Sequence, residues 1–236
     1  MADLVLLPGV NNTAETFHAV IAALPANIRG LALDCPPLES VEAIADALLP
    51  GLPARFYLGG FSFGGYVALA MLERAPERVL GIAMIASASF ADPPEQRPAR
   101  EAAIAAAQRG EHLKLVAGQG AVVMHPKAAA DAALVELRMK LAADYGAQRL
   151  IAHARAMMAR PDRTTLLAHS GKPVLLAAAR EDRVVPPASM QKMADAAPHA
   201  VFETIAESGH LLPLEQPALL AASLARWIGA AEGRNS

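Results

Sequence analysis

The sequence predicts an α/β protein: a mainly parallel sheet of about six strands, helices on both faces, and a helical segment inserted over one end of the sheet. Three observations predict it. Strand-length apolar runs alternate with helical patterns of about ten to fifteen residues, the signature of right-handed crossovers. The runs are continuously apolar, as expected of strands covered on both faces. Residues 90–169 carry helical spacing throughout and no strand signal, far more chain than a single crossover needs.

Leu4-Val5-Leu6-Leu7, closed by Pro8-Gly9, is the first predicted strand. Residues 13–24 have helical spacing at Phe17, Val20, Ile21 and Leu24, with Asn12 or Thr13 as cap. Residues 28–33 form the second strand and 40–49 the second helix, capped by Ser40. The third strand, 55–61, runs straight into Ser62, and a helix over 63–73 follows without a loop. Residues 79–86, 173–179 and 200–205 complete the strands, with helices over 187–197 and 211–227. Within 90–169 the helical stretches are 99–109, 111–117, 127–145 and 148–158. The expected division is therefore a core of 1–89 plus 170–236, with 90–169 as an inserted helical cap.

With 236 residues, the chain can bury a full core without metal or disulfide support. Its 54% apolar and 19% charged composition excludes a disordered chain. A net charge of −2 gives no bulk attraction to nucleic acid or anionic membrane. The single cysteine, Cys35, excludes an internal disulfide and reads as a buried small residue. No stretch is long and apolar enough to span a bilayer, and the N-terminus lacks signal-peptide character, so a cytoplasmic location is expected.

The chemistry concentrates at Gly59-Gly60-Phe61-Ser62-Phe63-Gly64-Gly65, between an apolar strand and a helix. That is the context a Gly-x-Ser-x-Gly nucleophile turn requires. Gly60 and Gly64 are expected where a Cβ would clash, and Ser62 sits at a helix N-terminus that favours developing negative charge. A serine hydroxyl needs a base, oriented by an acid. Of seven histidines, His210 alone follows the last strand and precedes the last helix, at the carboxyl end of the sheet. His18, His112, His125 and His153 fall in helical regions, as solvated or internally satisfied groups, and His169 and His199 precede strands at the opposite edge. The loop after the preceding strand offers two acids, Glu181 and Asp182. An oxyanion needs two donors. One is the backbone N–H of Phe63, and the other should come from the loop after the first strand, Pro8 to Asn12.

Here the chain resembles the α/β-hydrolase superfamily over nearly its whole length. The resemblance implies Asp182 as the acid, three residues past the strand end and four before Pro186, and the order Ser62, Asp182, His210 is the superfamily's. Glu181 then reads as a solvated neighbour. Where the family often has His-Gly-x, this chain has Pro8-Gly9-Val10, so the second oxyanion donor falls to the Val10 N–H. Asn11 and Asn12 serve as side-chain donors or in turn and cap duty.

The implied activity is hydrolysis of a carboxylic ester, thioester or lactone through an acyl-Ser62 intermediate. Alternatives on the same residues are carbon–carbon bond hydrolysis or a lyase reaction, a cofactor-free perhydrolase, and a slow-turnover ligand receptor. Phe61 is expected to pack under the sheet edge and Phe63 in the core. Met124, Met139, Met157 and Met158 suggest an adaptable apolar ceiling, although each singly reads as core. Arg97, Arg138 and Arg155 could grip a substrate carboxylate, yet each singly reads as solvated surface. No metal-binding or nucleotide-binding pattern occurs, so no cofactor and no metal are expected. The expected partner is a small, apolar acyl substrate, with no nucleic acid or membrane, for a monomer or homodimer.

Overall fold

A computed structural model of the chain describes residues 1–233. Six strands form one parallel sheet: β1 (Ala2–Leu7), β2 (Ile28–Ala32), β3 (Phe56–Phe61), β4 (Val79–Ile85), β5 (Val174–Ala179) and β6 (Val201–Ile205). Their spatial order is β2-β1-β3-β4-β5-β6. The chain steps outward from β1 to β2, then returns to β1's other side and proceeds in one direction. Its topological switch point therefore lies between the carboxyl ends of β1 and β3, where open α/β sheets bind ligands.

Side chains alternate between the two faces. Val5, Leu7, Leu58, Ile82, Met84 and Leu176 enter one core cluster. Leu4, Leu6, Phe61, Ala83, Ile85 and Leu175 enter the other. The helices of the first half are α1 (His18–Ala22), α2 (Val41–Leu48) and α3 (Phe63–Arg74). Between β4 and β5 run α4 (Arg97–Gln108), α5 (His112–Gly118), α6 (Gly120–Val123), α7 (Pro126–Ala129), α8 (Ala132–Tyr145), α9 (Ala147–Ala159) and α10 (Thr164–His169). After β5 come α11 (Pro187–Ala196), α12 (Leu212–Glu215) and α13 (Pro217–Gly233). Helix α3 is buried along nearly its whole length between the sheet and its neighbours.

Three boundaries differ from the periodicity. The region 13–24 is a 3-10 turn over Ala14–Phe17 followed by the five-residue α1. Thr13 makes no capping bond; instead Asp34 Oδ1 accepts from the Ala14 N–H at 2.6 Å. The stretch 127–145 breaks at Asp131, whose carboxylate accepts from Ala133 and Leu134 N–H and starts α8 afresh. The region 211–227 breaks at Gln216, and α13 continues to Gly233. Ser40 does cap α2, accepting from Ala43 N–H.

The helices between β4 and β5 meet the core across a polar seam. Arg163 is buried and pairs with Glu42 and Glu73. Arg149 pairs with Asp34, Lys140 with Glu15, and Arg155 with Glu39. Among the described residues no helix is long and apolar enough to cross a membrane.

Candidate active site

Ser62 joins β3 to α3 with φ 49° and ψ −116°, a conformation rare for a residue bearing a Cβ. Neighbouring bonds hold it there. The Ser62 N–H donates to Ile85 O at 2.9 Å, and Ser62 O accepts from the Gly65 N–H at 2.9 Å and the Ser87 hydroxyl at 2.7 Å. The glycines around it are spatial necessities. A Cβ on Gly60 would lie 2.4 Å from Gly64 O, and one on Gly64 would lie 2.1 Å from Leu7 O. The second contact presses the start of α3 onto the end of β1, which brings the Pro8-to-Asn12 loop alongside Ser62. A Cβ on Gly9 would in turn meet the Ser62 side chain at 3.0 Å.

Ser62 Oγ lies 2.9 Å from His210 Nε2, and His210 Nδ1 lies 2.8 Å from Asp182 Oδ2. Asp182 is nearly inaccessible, and its other oxygen accepts from Val184 and Val185 N–H at 2.7 and 2.9 Å. The carboxylate is thus fixed by the backbone, with Oδ2 left to accept from His210 Nδ1–H. That assigns Nε2 as the acceptor of the Ser62 hydroxyl proton. The three side chains come from loops after β3, β5 and β6.

Several residues that sequence reasoning passed over support this arrangement. Glu181 accepts from the Ser208 N–H at 3.0 Å, while its own N–H donates to Ser208 O at 3.0 Å; it ties the aspartate loop to the histidine loop instead of standing in solvent. Glu215 accepts from the N–H groups of Gly209, Leu211 and His125, so it braces both sides of His210. Burial raises its carboxyl above the usual range, against the pull of those bonds. The His210 N–H donates to Val123 O at 2.8 Å, and a Cβ on Gly209 would collide with His125 N at 2.6 Å. A glycine directly before the candidate base was the one available sequence signal for that close approach.

Val10 borders the same cavity as Ser62, and Phe63, as first residue of α3, has an N–H without an intrahelical acceptor. Phe63 and the loop of Val10 both meet the helical segment, and the loop is also braced from within. Asn12 Nδ2 donates to Val10 O at 2.8 Å, Asn12 Oδ1 accepts from Thr16, and Asn11, at φ 61°, accepts from His112 Nε2 at 2.8 Å. Both asparagines therefore shape the loop: Asn12 is engaged at its oxygen and its nitrogen, Asn11 at its oxygen, and Asn11 also borders the cavity. The Phe63 ring stacks on His153 at 4.3 Å between centroids. His153 is fully buried, accepts from the Tyr145 hydroxyl at Nδ1 and donates from Nε2 to Pro36 O. Burial pushes its pKa down to about 4, so it is neutral at ordinary pH. His112 is lowered by burial as well. His18, His169 and His199 are exposed and do not border the cavity at Ser62.

A cavity of about 810 Å³ opens above Ser62 and His210, between the strand ends and helices α4 to α9. Phe61 lies at its floor, with its ring 5.3 Å from that of His210, inside the sheet and not at an edge strand. Of the four expected ceiling methionines only Met157 borders the cavity; Met124 is core. Arg97 and Arg155 are exposed and paired with Glu101 and Glu39. Arg138 departs from the expectation of solvated surface: it is 7% exposed and faces the cavity. Cys35 is buried, and its thiol is pushed up to about 12 by burial.

A parallel sheet of this order, with a serine, histidine and aspartate hydrogen-bonded in sequence at the strand ends, defines a class. The match to the family model described as "Alpha/beta hydrolase family", over residues 4–223, shows that the chain belongs to that family. The chain is similar to two pimeloyl-[acyl-carrier protein] methyl ester esterases. It is 31% identical over 36% of its length to that of Nitrosomonas europaea, and 36% identical over 41% to that of Aromatoleum aromaticum. The matches span 37% and 42% of those relatives, about two fifths of their length. Among solved structures, a thermophilic esterase from Thermogutta terrifontis superposes with a TM-score of 0.88 at 24% identity, over 98% of this chain and 90% of that one. The enol-lactonase from Burkholderia xenovorans gives 0.87 at 16% identity, over 97% and 91%. These two show the shared fold.

Proposed function

We propose that this protein hydrolyses small carboxylic esters, thioesters or lactones through an acyl-Ser62 intermediate. The observation that carries this is the continuous hydrogen-bonded path from Ser62 Oγ through His210 to Asp182, at the floor of an open cavity. His210 Nε2 takes the hydroxyl proton as Oγ attacks the carbonyl carbon. The resulting imidazolium is stabilised by Asp182 and returns the proton to the leaving alkoxide or thiolate. A water then attacks the acyl-enzyme with His210 again as base, releasing the acid and restoring Ser62. The Phe63 and Val10 N–H groups, at the N-terminus of α3 and the end of β1, are assigned to the developing oxyanion. Residues 90–169 act as the cap whose cavity wall selects the substrate. The relatives named as methyl ester esterases agree with this reaction class.

The test is pre-steady-state release from p-nitrophenyl acyl esters of short and medium chain length. The wild type should show a burst followed by turnover, and Ser62→Ala should show neither. A wild type without burst or turnover on any of these esters rejects the proposal. Tight ester binding without turnover would mark a receptor instead.

A further inference from the structure

The cavity wall carries four guanidinium groups, on Arg100, Arg138, Arg160 and Arg183, against one carboxylate, Asp92, among the described residues. The chain as a whole has net charge −2, so this excess of cation is local to the cavity. Arg100 and Arg160 share Asp92. Arg183 is exposed, so its charge is hydrated and screened by solvent. Arg138 differs from all three. It projects from α8, is 93% buried, and among the described residues has no carboxylate partner; a single guanidinium N–H donates to Val116 O. Burial lowers its pKa, and no neighbouring acid offsets that. A buried, unpaired guanidinium is costly unless an anion completes it.

Resting on the hydrolase reading above, we infer that the substrate is an ester that also bears a carboxylate, and that Arg138 receives this carboxylate in the cavity. The placement suits the task. Arg138 Nη1 lies beside Gly120, 3.7 Å from where a Cβ would stand there, so the guanidinium sits against the start of α6. The segment of α5 and α6 that accepts from Arg138 at Val116 O also accepts from the His210 N–H at Val123 O. The cation and the candidate base are therefore held by one short piece of backbone. The planar guanidinium retains donors for bidentate binding of a carboxylate, and apolar neighbours such as Leu115, Leu150 and Met157 can line the path between ester and acid.

The inference is tested with pairs in which a free carboxylate is exchanged for its methyl ester, with rates counted for the shared ester bond: monomethyl against dimethyl adipate (halved for its two equivalent esters), and 6-acetoxyhexanoate against its methyl ester (read by acetate release). The first pair places the carboxylate on the acyl side, the second on the alcohol side. In at least one pair, wild-type kcat/KM should favour the anion by about tenfold or more, the range of a charge-assisted bond. Arg138→Met should abolish that ratio, Arg138→Lys should retain part of it, and Arg97→Met should leave it intact. A neutral preference in both pairs, or an Arg138→Met ratio equal to wild type, overturns the inference. A second arm needs no turnover: adipate, and not dimethyl adipate, should raise the melting temperature of Ser62→Ala. That shift should shrink when Arg138→Lys is added and vanish when Arg138→Met is added, and its absence in Ser62→Ala counts against the site. If no ester is cleaved but this shift is found, the hydrolase reading fails while the anion site stands.

Discussion

The strand-end loops and the helical segment above them are held by different physics. Around Ser62 the backbone packs so closely that glycine is required: Gly60 and Gly64 have neighbours within 2.4 and 2.1 Å of where a Cβ would stand. The helices between β4 and β5 add to apolar packing at Ala154, Ala156, Met157 and Leu167 a layer of ion pairs and two buried imidazoles, His112 on Asn11 and His153 under Phe63. The first kind of contact tolerates no adjustment. The second can loosen by protonation or by loss of a single partner, which suits a wall that must admit a substrate over a floor that must not move.

Three experiments would break or sharpen that contrast. The largest effect is expected from Gly64→Val, which places side-chain atoms onto the Leu7 carbonyl and has no relaxed solution. Soluble yield and ester turnover should both collapse, and a fully active, folded Gly64→Val would end the argument for an obligatory tight turn. Next is His210→Ala, expected to reduce kcat on the order of 10³-fold or more while the melting temperature changes little. His153→Gln, its counterpart in the helical segment, should reduce kcat by less than about tenfold. Reversal of those two results would relocate the base.

The smallest effect concerns acid stability. His153 is held neutral in the fold with its pKa at about 4, against an ordinary 6.5. Because the unfolded chain binds the proton first, stability should be constant above about pH 7 and decline as pH falls from 6.5 toward 4. The full loss is roughly 3 kcal/mol. Urea midpoints across this range should show the decline, and His153→Gln should reduce it, leaving the share from His112, whose pKa burial also lowers. An unchanged slope in the variant would mean that the imidazole is not the titrating lock.

Much of this was legible from residue order alone. The six strands were placed by their apolar runs to within one or two residues, because a strand covered on both faces leaves an uninterrupted signal. Ser62 and His210 stood out because each follows a strand and precedes a helix. Between Glu181 and Asp182 the residues themselves did not choose; the superfamily resemblance singled out Asp182, the carboxylate that meets His210 in the structure. What stayed hidden were contacts between distant segments. Glu215 reads as an ordinary helical acid, yet it gathers three backbone N–H groups around His210. His153 reads as a satisfied helical histidine, which it is, but its position beneath Phe63 has no local signature. Arg138 reads as surface because arginines on helices usually are.

The sequence by itself determined the order of strands and helices, the glycine-flanked serine between β3 and α3, and the loops in which an acid and a base could stand. These follow from local periodicity and from the steric demands of short turns. Only the tertiary structure decided that Ser62, His210 and Asp182 meet at hydrogen-bond distance, that Arg138 faces inward without an acid, and that His112 and His153 anchor the strand-end loops. The first depends on the strand order that sets the ends of β3, β5 and β6 at one edge of the sheet, the other two on how helices after β4 fold back across it, and pairings over such separations leave no periodic trace in the chain.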